Sequence, residues 1–236
     1  MKRIYLITLA VAMIGGLAVS SATAQQRNSS EVNVSPQSYK DFRISVGGGY
    51  AFRLGKVQKT GDAKVDDVSK QLKHGFTVDA DAQYFFKEGW GLGLNVNYCS
   101  SPASGEDLDL QFIDGTRRVN KYKESQNMLF VGPSFVGRNE SPKFLLVSSF
   151  AIGPIFYMDN INMDGIDGSM NATTFGYNAG LAGEYKLNDK TGLGLKLSYT
   201  MGSINSIKSG GQTVKLDKPI SVSNLMATVF ISFRTW

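Results

Sequence analysis

The sequence predicts an all-β fold: an eight-stranded antiparallel up-and-down transmembrane β-barrel. Three observations carry this. Segments of about ten to fourteen residues alternate apolar with small or polar side chains at a period of two. The connections between them alternate between short and long. Gly is frequent (26) and Pro scarce (6), and no stretch beyond the N-terminus is long and apolar enough for a spanning helix.

The 236-residue chain opens with a secretory signal pattern. Lys2 and Arg3 form a basic start, Ile4 to Val19 an apolar run, and Ala22-Thr23-Ala24 a small-residue cleavage site. Residues 1–24 are therefore expected to be a signal peptide, and polar residues 25–41 a flexible periplasmic lead-in to a barrel at 42–236. Loss of Lys2 and Arg3 lowers the net charge from +5 to about +3. No basic stripe with interleaved aromatics is present, which argues against nucleic acid as a partner. The single cysteine, Cys99, excludes an intramolecular disulfide and reads as a small buried residue near a strand end.

The first strand, Phe42 to Leu54, places Phe42, Ile44, Val46, Gly48, Tyr50 and Phe52 on one face and Arg43, Ser45, Gly47, Gly49, Ala51 and Arg53 on the other. The second, about Gly75 to Phe86, sets Phe76, Val78, Ala80, Ala82, Tyr84 and Phe86 against Thr77, Asp79, Asp81 and Gln83. After the turn at 87–89, Trp90 to Cys99 sets Leu92, Leu94, Val96 and Tyr98 against Gly91, Gly93, Asn95 and Asn97. The fourth and fifth strands, Gln126 to Gly137 and Phe144 to Tyr157, are apolar on both faces, so their facing is left unassigned; Pro133 and Pro154 suggest bulges or kinks there. The sixth, about 174–187, and the seventh, about 193–200, flank the turn at 188–190, and the eighth is Ile220 to Phe233. The connections at about 55–73, 100–124, 158–172 and 202–219 read as long polar loops.

One hairpin is written twice. Tyr84–Tyr98 and Tyr185–Tyr199 align without a gap, each with an incoming strand, a polar turn, and an outgoing strand that alternates Leu with Gly, Asn, Lys or Ser. The two copies are expected to lie across the barrel from each other.

A soluble barrel also alternates, with its apolar face inward. Three features favour a membrane. The cleaner apolar faces carry no charge, as lipid contact requires. The opposite faces are crowded with Gly, Ala, Ser and Asn, which suits a narrow lumen. Aromatics gather toward strand ends, and Tyr84, Phe86, Trp90, Tyr98, Tyr185, Tyr199, Phe233 and Trp236, with Phe42, Phe144, Tyr157 and Phe175, are expected to form interfacial girdles.

The leader, the eight strands, the alternating connections and the aromatic C-terminus Val229-Phe-Ile-Ser-Phe-Arg-Thr-Trp236 together resemble the small eight-stranded outer-membrane β-barrel family typified by OmpA's membrane domain and OmpX. The resemblance covers about Phe42 to Trp236 and rests on pattern more than motif. It implies a Gram-negative outer-membrane location, short turns toward the periplasm, long loops outside, and contact with outer-membrane lipid and, during biogenesis, the barrel assembly machinery. Phe233 keeps the lipid-facing register of the family's end signal; Trp236 is one position out of step.

The candidate site is a lumen charge network of Arg43, Arg53, Asp79, Asp81, Glu184, Lys186 and Lys196. Asp79 and Asp81 are expected to pair with the arginines of the neighbouring strand, and Glu184 with Lys196, because buried ions must be paired. An internal plug is the reading; a gated conduction path or a proton-linked switch is the alternative. His74, at the expected outer rim, lacks the adjacent serine that a lipid-modifying site would require. Asn160-Ile-Asn-Met-Asp-Gly165 matches the start of a Ca²⁺ loop only loosely, and Gly47-Gly-Gly49 lacks the Lys-Ser/Thr of a phosphate loop. No catalytic residue, metal or cofactor is assigned. The functional expectation is a non-enzymatic, porin-like barrel with a filled polar lumen and long extracellular loops for surface interaction or envelope integrity. The alternatives are a narrow transport channel and a rim lipid-modifying enzyme.

Overall fold

The computed structural model describes residues 41–55, 60, 62–112, 115–209 and 212–235. The expected leader, the lead-in up to residue 40, and Trp236 lie outside the described residues. The elements are β1 (Phe42–Arg53), α1 (Ala63–Gln71), β2 (His74–Lys87), β3 (Trp90–Phe112), β4 (Gly115–Glu140), β5 (Phe144–Met163), β6 (Ile166–Lys186), β7 (Thr191–Ser209), β8 (Gln212–Ser221) and β9 (Asn224–Thr235).

Eight strands close a ring. Consecutive strands pair antiparallel from β1 to β7, β7 pairs with β9 from Thr191↔Phe233 to Thr200↔Asn224, and β9 pairs with β1 from Phe42↔Thr235 to Arg53↔Asn224. Closure leaves no sheet edge inside a bilayer, where an unpaired N–H or C=O would cost several kcal/mol. The hairpins β2–β3 and β6–β7 stand on opposite sides of this ring, as the repeat implies. β8 continues the path of β9 and pairs only with the far end of β7, from Ser203↔Ser221 to Ser209↔Gln212.

Three of the four expected long loops are strand. β3 and β4 pair without a register shift from Trp90↔Gly137 to Phe112↔Gly115, and β5 and β6 pair out to Met163↔Ile166. Residues 100–112, 115–124, 158–172, 202–209 and 212–219 thus rise as ladders above the barrel rather than as loops. Their polar residues hid the strands, because a ladder with no lipid on one side has no need of a clean apolar face. Asp164 (φ 50°) and Gly165 (φ 89°) form the tight turn between β5 and β6, in the left-handed conformations that two-residue hairpins require. The segment resembling a calcium loop is therefore a hairpin tip, and Asp164 accepts from the backbone N–H groups of Asn120 and Lys121 at 3.1 and 2.8 Å.

Neither proline makes a bulge. The β4–β5 ladder is interrupted between Phe130↔Ile155 and Ser134↔Ala151 without a change of register, and Pro133 and Pro154 both fall in that gap. Each lacks the N–H that the ladder would use.

The remaining connection contains α1. Asp62 caps it, accepting from Lys64 N at 2.8 Å and Val65 N at 3.4 Å. Its buried Val68 packs on Ala103 and Leu108 of β3. β2 starts at His74 and reaches β3 only as far as Ser100, so among the described residues the β3 edge beyond it has no strand partner on that side. α1 covers this edge: Gln71 Oε1 accepts the Ser104 N–H at 3.1 Å, and Lys64 Nζ donates to the Asp107 carbonyl at 3.3 Å.

Candidate functional site

Inward and outward residues alternate along every barrel strand. On β4 the inward set includes Met128, Phe130, Ser134, Val136 and Arg138; on β5 it includes Leu145, Val147, Ser149, Ala151, Ile155, Tyr157 and Asp159. This decides the facing that the sequence left open and corrects the expectation of a polar lumen. The interior is mixed. β4 and β5 turn mostly apolar side chains inward, and their Phe130, Ile155 and Met128 cluster with Met226, Ile204, Cys99 and Ala51 from other strands. Most of the buried charges stand on β1, β2, β6, β7 and β9. Tyr157 faces the lumen and is no girdle residue.

The charges form two linked groups. Near the short-turn end, Glu184 lies between two arginines, with Arg43 Nη2 at 2.9 Å and Arg234 Nη1 at 3.0 Å. Arg43 also donates from Nε to Glu184 at 3.0 Å and from Nη1 to Gln83 at 2.9 Å. Gly192 makes room for the carboxylate: a Cβ there would lie 2.1 Å from Glu184 Oε1. Further along the barrel, Lys196 Nζ is 2.6 Å from both Asp79 Oδ1 and Asp81 Oδ2. Asn95 donates to Asp81 at 2.9 Å and Asp79 at 3.2 Å, and Asn97 donates to Asp79 at 3.2 Å. Ser45 joins the groups, accepting from Arg43 at 3.2 Å and donating to Asp81 at 3.4 Å. Arg43, Asp79, Asp81, Glu184, Lys196 and Arg234 are each at most 4% exposed. Their three cations and three carboxylates balance.

The pairing differs from the expected one. Asp79 and Asp81 reach across the lumen to Lys196 on β7, and Arg43 takes Glu184. Strand adjacency predicts neighbours in the wall, but a narrow barrel brings opposite walls within one side-chain length. Arg53 is not in either group: at the far end its guanidinium lies 5.6 Å over the Tyr157 ring and donates to the Ser221 carbonyl at 3.5 Å. Lys186 sits at the short-turn rim, where it pairs with Glu140. The sequence pattern does not single out Arg234 or Arg138. Arg234 follows the last clean apolar position, Phe233, and its inward parity is its only signal. Arg138 lies in the turn read as polar; it stacks 4.1 Å over the buried Phe85 ring and donates to the Glu88 carbonyl at 2.9 Å.

At the other rim His74 is exposed, bonded through Nδ1 to the Tyr50 hydroxyl and edge-on to Phe52 at 5.5 Å. Cys99 is buried among Thr77, Asn97 and Met226.

The outside is apolar. Between the two rims the outward faces, from Ile44–Phe52 on β1 to Leu225–Phe233 on β9, carry no Asp, Glu, Lys or Arg among the described residues. Large side chains stand bare on every wall: Leu195 is 66% exposed, Leu197 61% and Phe175 74%. Water would not tolerate so continuous a patch, whereas a bilayer favours it. The chain is a transmembrane β-barrel. Tyr84, Phe86, Phe144, Tyr185 and Phe233 are exposed toward the short-turn end, where Phe144 meets Tyr185 at 5.5 Å and Trp90 stacks on Phe135 at 5.1 Å. Toward the other end Phe76 meets Tyr98 at 6.2 Å, and Tyr199 lies opposite Leu225.

No protein-family model and no curated protein matches the chain. Among solved structures, the chain is similar to Neisserial surface protein A (11% identity, 82% of this chain and 96% of that chain, TM-score 0.47). It is also similar to the attachment invasion locus protein Ail of Yersinia pestis (15%, 83% and 100%, 0.46) and to a major outer membrane protein from Thermus thermophilus (10%, 82% and 98%, 0.49). What makes this chain a membrane barrel is its own closed ring and its own belt.

Proposed function

We propose that this protein is a non-enzymatic outer-membrane barrel with a closed lumen, whose raised hairpins and α1 form a surface outside the cell for contact with a partner or envelope component. The observation that carries the closed lumen is the charge network. Three buried cations and three buried carboxylates hold opposite walls together, with apolar side chains filling the remaining cross-section. An eight-stranded barrel is just wide enough to be filled by side chains. The observation that favours a presented surface is the length of the ladders: β3–β4 continues for eleven residue pairs beyond Ser100, where β2 ends its pairing. In this reading the short turns face the periplasm, and biogenesis passes through the barrel assembly machinery.

Planar-bilayer recording tests the closed lumen. Purified protein is expected to give no stable ion steps above leak. Well-defined steps would replace this reading with the narrow-channel one. Lipid A mass spectra from cells with and without the protein are expected to be identical; a mass change lost in a His74→Ala variant would establish a rim enzyme instead.

A further inference from the structure

The far part of β7, with β8, roofs the mouth of the barrel away from the short turns. Ile204, only 1% exposed, belongs to the lumen cluster of Cys99, Met128, Ile155 and Met226, and Ile207 and Leu216 pack against that cluster. Cys99, the single thiol of the chain, is buried beneath them. It also lines a cavity of about 10 Å³, room for one water, with Arg53, Tyr157 and Val222 among its walls. Val222 stands at the root of the roof, between β8 and β9.

The strands of the wall are paired on both sides, and the roof is not. Among the described residues β8 pairs with β7 alone. On the other side the β6–β7 ladder stops at Gly176↔Gly202 and resumes only at Asn171↔Lys208. Within the hairpin the register shifts between Ile204↔Ile220 and Ser206↔Lys215. Single side-chain bonds reach the two roots: Thr174 Oγ1 donates to the Ser203 carbonyl at 2.7 Å, and Arg53 donates to the Ser221 carbonyl at 3.5 Å. The roots meet where the Val222 N–H donates to the Gly202 carbonyl at 3.1 Å. Gly202 permits this approach, since a Cβ there would lie 2.5 Å from Ile155 Cδ1 and 3.2 Å from Val222 Cγ2. A segment held by few ladder bonds opens locally for a fraction of the global unfolding free energy, and hinges form at the ends of elements.

We propose that the β7–β8 hairpin is a hinged roof that swings off the mouth about Gly202 and Val222 while the barrel stays folded, and that its opening bares Cys99. Burial of Ile204, Ile207 and Leu216 favours the closed position. Opening forfeits that burial and the isolated Asn171↔Lys208 contact, and it breaks no rung of the closed ring. The ion groups lie nearer the short turns: Asp79 stands opposite Asn97, two residues before Cys99, so an open roof leaves the lumen shut. The inference adds a moving element to the presented surface and does not depend on what that surface contacts.

Timed maleimide labelling of Cys99 in the full chain in lipid nanodiscs, read by peptide-resolved mass spectrometry, tests it. Heat-modifiable gel mobility identifies folded protein. Slow labelling of the folded wild type is expected. Asn171→Cys with Lys208→Cys places a thiol pair on cross-strand partners, whose Cα atoms in an antiparallel ladder lie about 4.5–5.5 Å apart, within disulfide reach. The oxidised pair ties the roof to β6 and is expected to slow Cys99 labelling at least tenfold, and reduction is expected to restore it. Thr174→Val removes the bond to the Ser203 carbonyl and is expected to speed labelling about fivefold, the equivalent of one hydrogen bond. It decides the matter if the double cysteine variant fails to fold. No labelling of the folded wild type, the same rate with the cross-link open and closed, or an unchanged rate in Thr174→Val would each overturn the roof. Ion steps in bilayers with the labelling pattern intact would instead remove the closed lumen and leave the roof standing.

Discussion

Asn95 and Lys196 occupy equivalent positions of the repeated hairpin, and both donate to the same two carboxylates, Asp79 and Asp81, from opposite walls of the barrel. The repeat sets both side chains inward at the same height. One copy supplies a neutral donor from the strand next to the carboxylates, and the other a cation from across the lumen. The exchange of Asn for Lys at one position of a repeated pattern thus offsets one of the two carboxylate charges and ties the two walls, and the surplus arginine at Glu184 balances the other.

Removal of Lys196 should be costly. Lys196→Met leaves two carboxylates buried without a cation, and loss of one partner of a buried ion group costs about 3–5 kcal/mol. The triple change with Asp79→Asn and Asp81→Asn should recover most of that. Urea unfolding in detergent micelles checks both; equal stabilities for the wild type and Lys196→Met would contradict the arrangement.

Two glycines of β6–β7 should differ sharply. Gly192→Ala sets a Cβ 2.1 Å from Glu184 Oε1 and must push the carboxylate off its arginines, whereas Gly183→Ala meets nothing within 4 Å. The first should destabilise by about 1–3 kcal/mol, as overpacking does, and the second should be near neutral. Thermal unfolding of the two variants gives the comparison.

Asp159 should make the raised sheet more stable in mild acid. Met158 is the last large apolar side chain that β5 turns to lipid, so Asp159 lies just beyond the spanning segment. Burial, then the Glu124 carboxylate, pushes its carboxyl up to about 6 from the usual 3.8. A folded-state value above the unfolded one means that the native protein binds the extra proton between those limits. Stability from this group therefore falls as pH rises through about 4 to 6 and is lowest above that. The unfolding temperature of the wild type relative to Asp159→Asn should rise from pH 7.5 to pH 5; a constant difference would refute the assignment.

The α1 cover can be lifted. Val68→Asp places a charge against Ala103 and Leu108 and should release the helix, so that trypsin cuts at Lys64, Lys70 and Lys73 much faster while the barrel keeps its heat-modifiable mobility. Timed digestion followed by mass spectrometry reads the sites. An unchanged rate would mean that the helix is held by contacts other than Val68.

The barrel was legible because lipid imposes a rule on every second residue. Ile44–Phe52, Phe76–Phe86 and Leu193–Tyr199 announce their outward face, and no folded neighbour is needed to read it. The rule fails where its cause is missing. On β4 and β5 lipid lies on one side and an apolar lumen on the other, so Phe130 and Ile155 look like Leu129 and Phe156. Above the rim neither face meets lipid, and the strands of 100–124 and 202–219 carry the composition of loops.

The sequence by itself determined the class of fold, the strand count of the ring, the outward faces of six strands and the placing of the repeated hairpins, since each follows from local periodicity and turn chemistry. Only the tertiary structure decided which charges meet: that Glu184 takes Arg43 and Arg234, that Lys196 reaches Asp79 and Asp81, and that Gln126 bonds both Glu124 and Asp159. These contacts depend on barrel radius, register and the height of each residue. Alternation fixes the side of the wall on which a charge lies, and ring closure fixes what it faces.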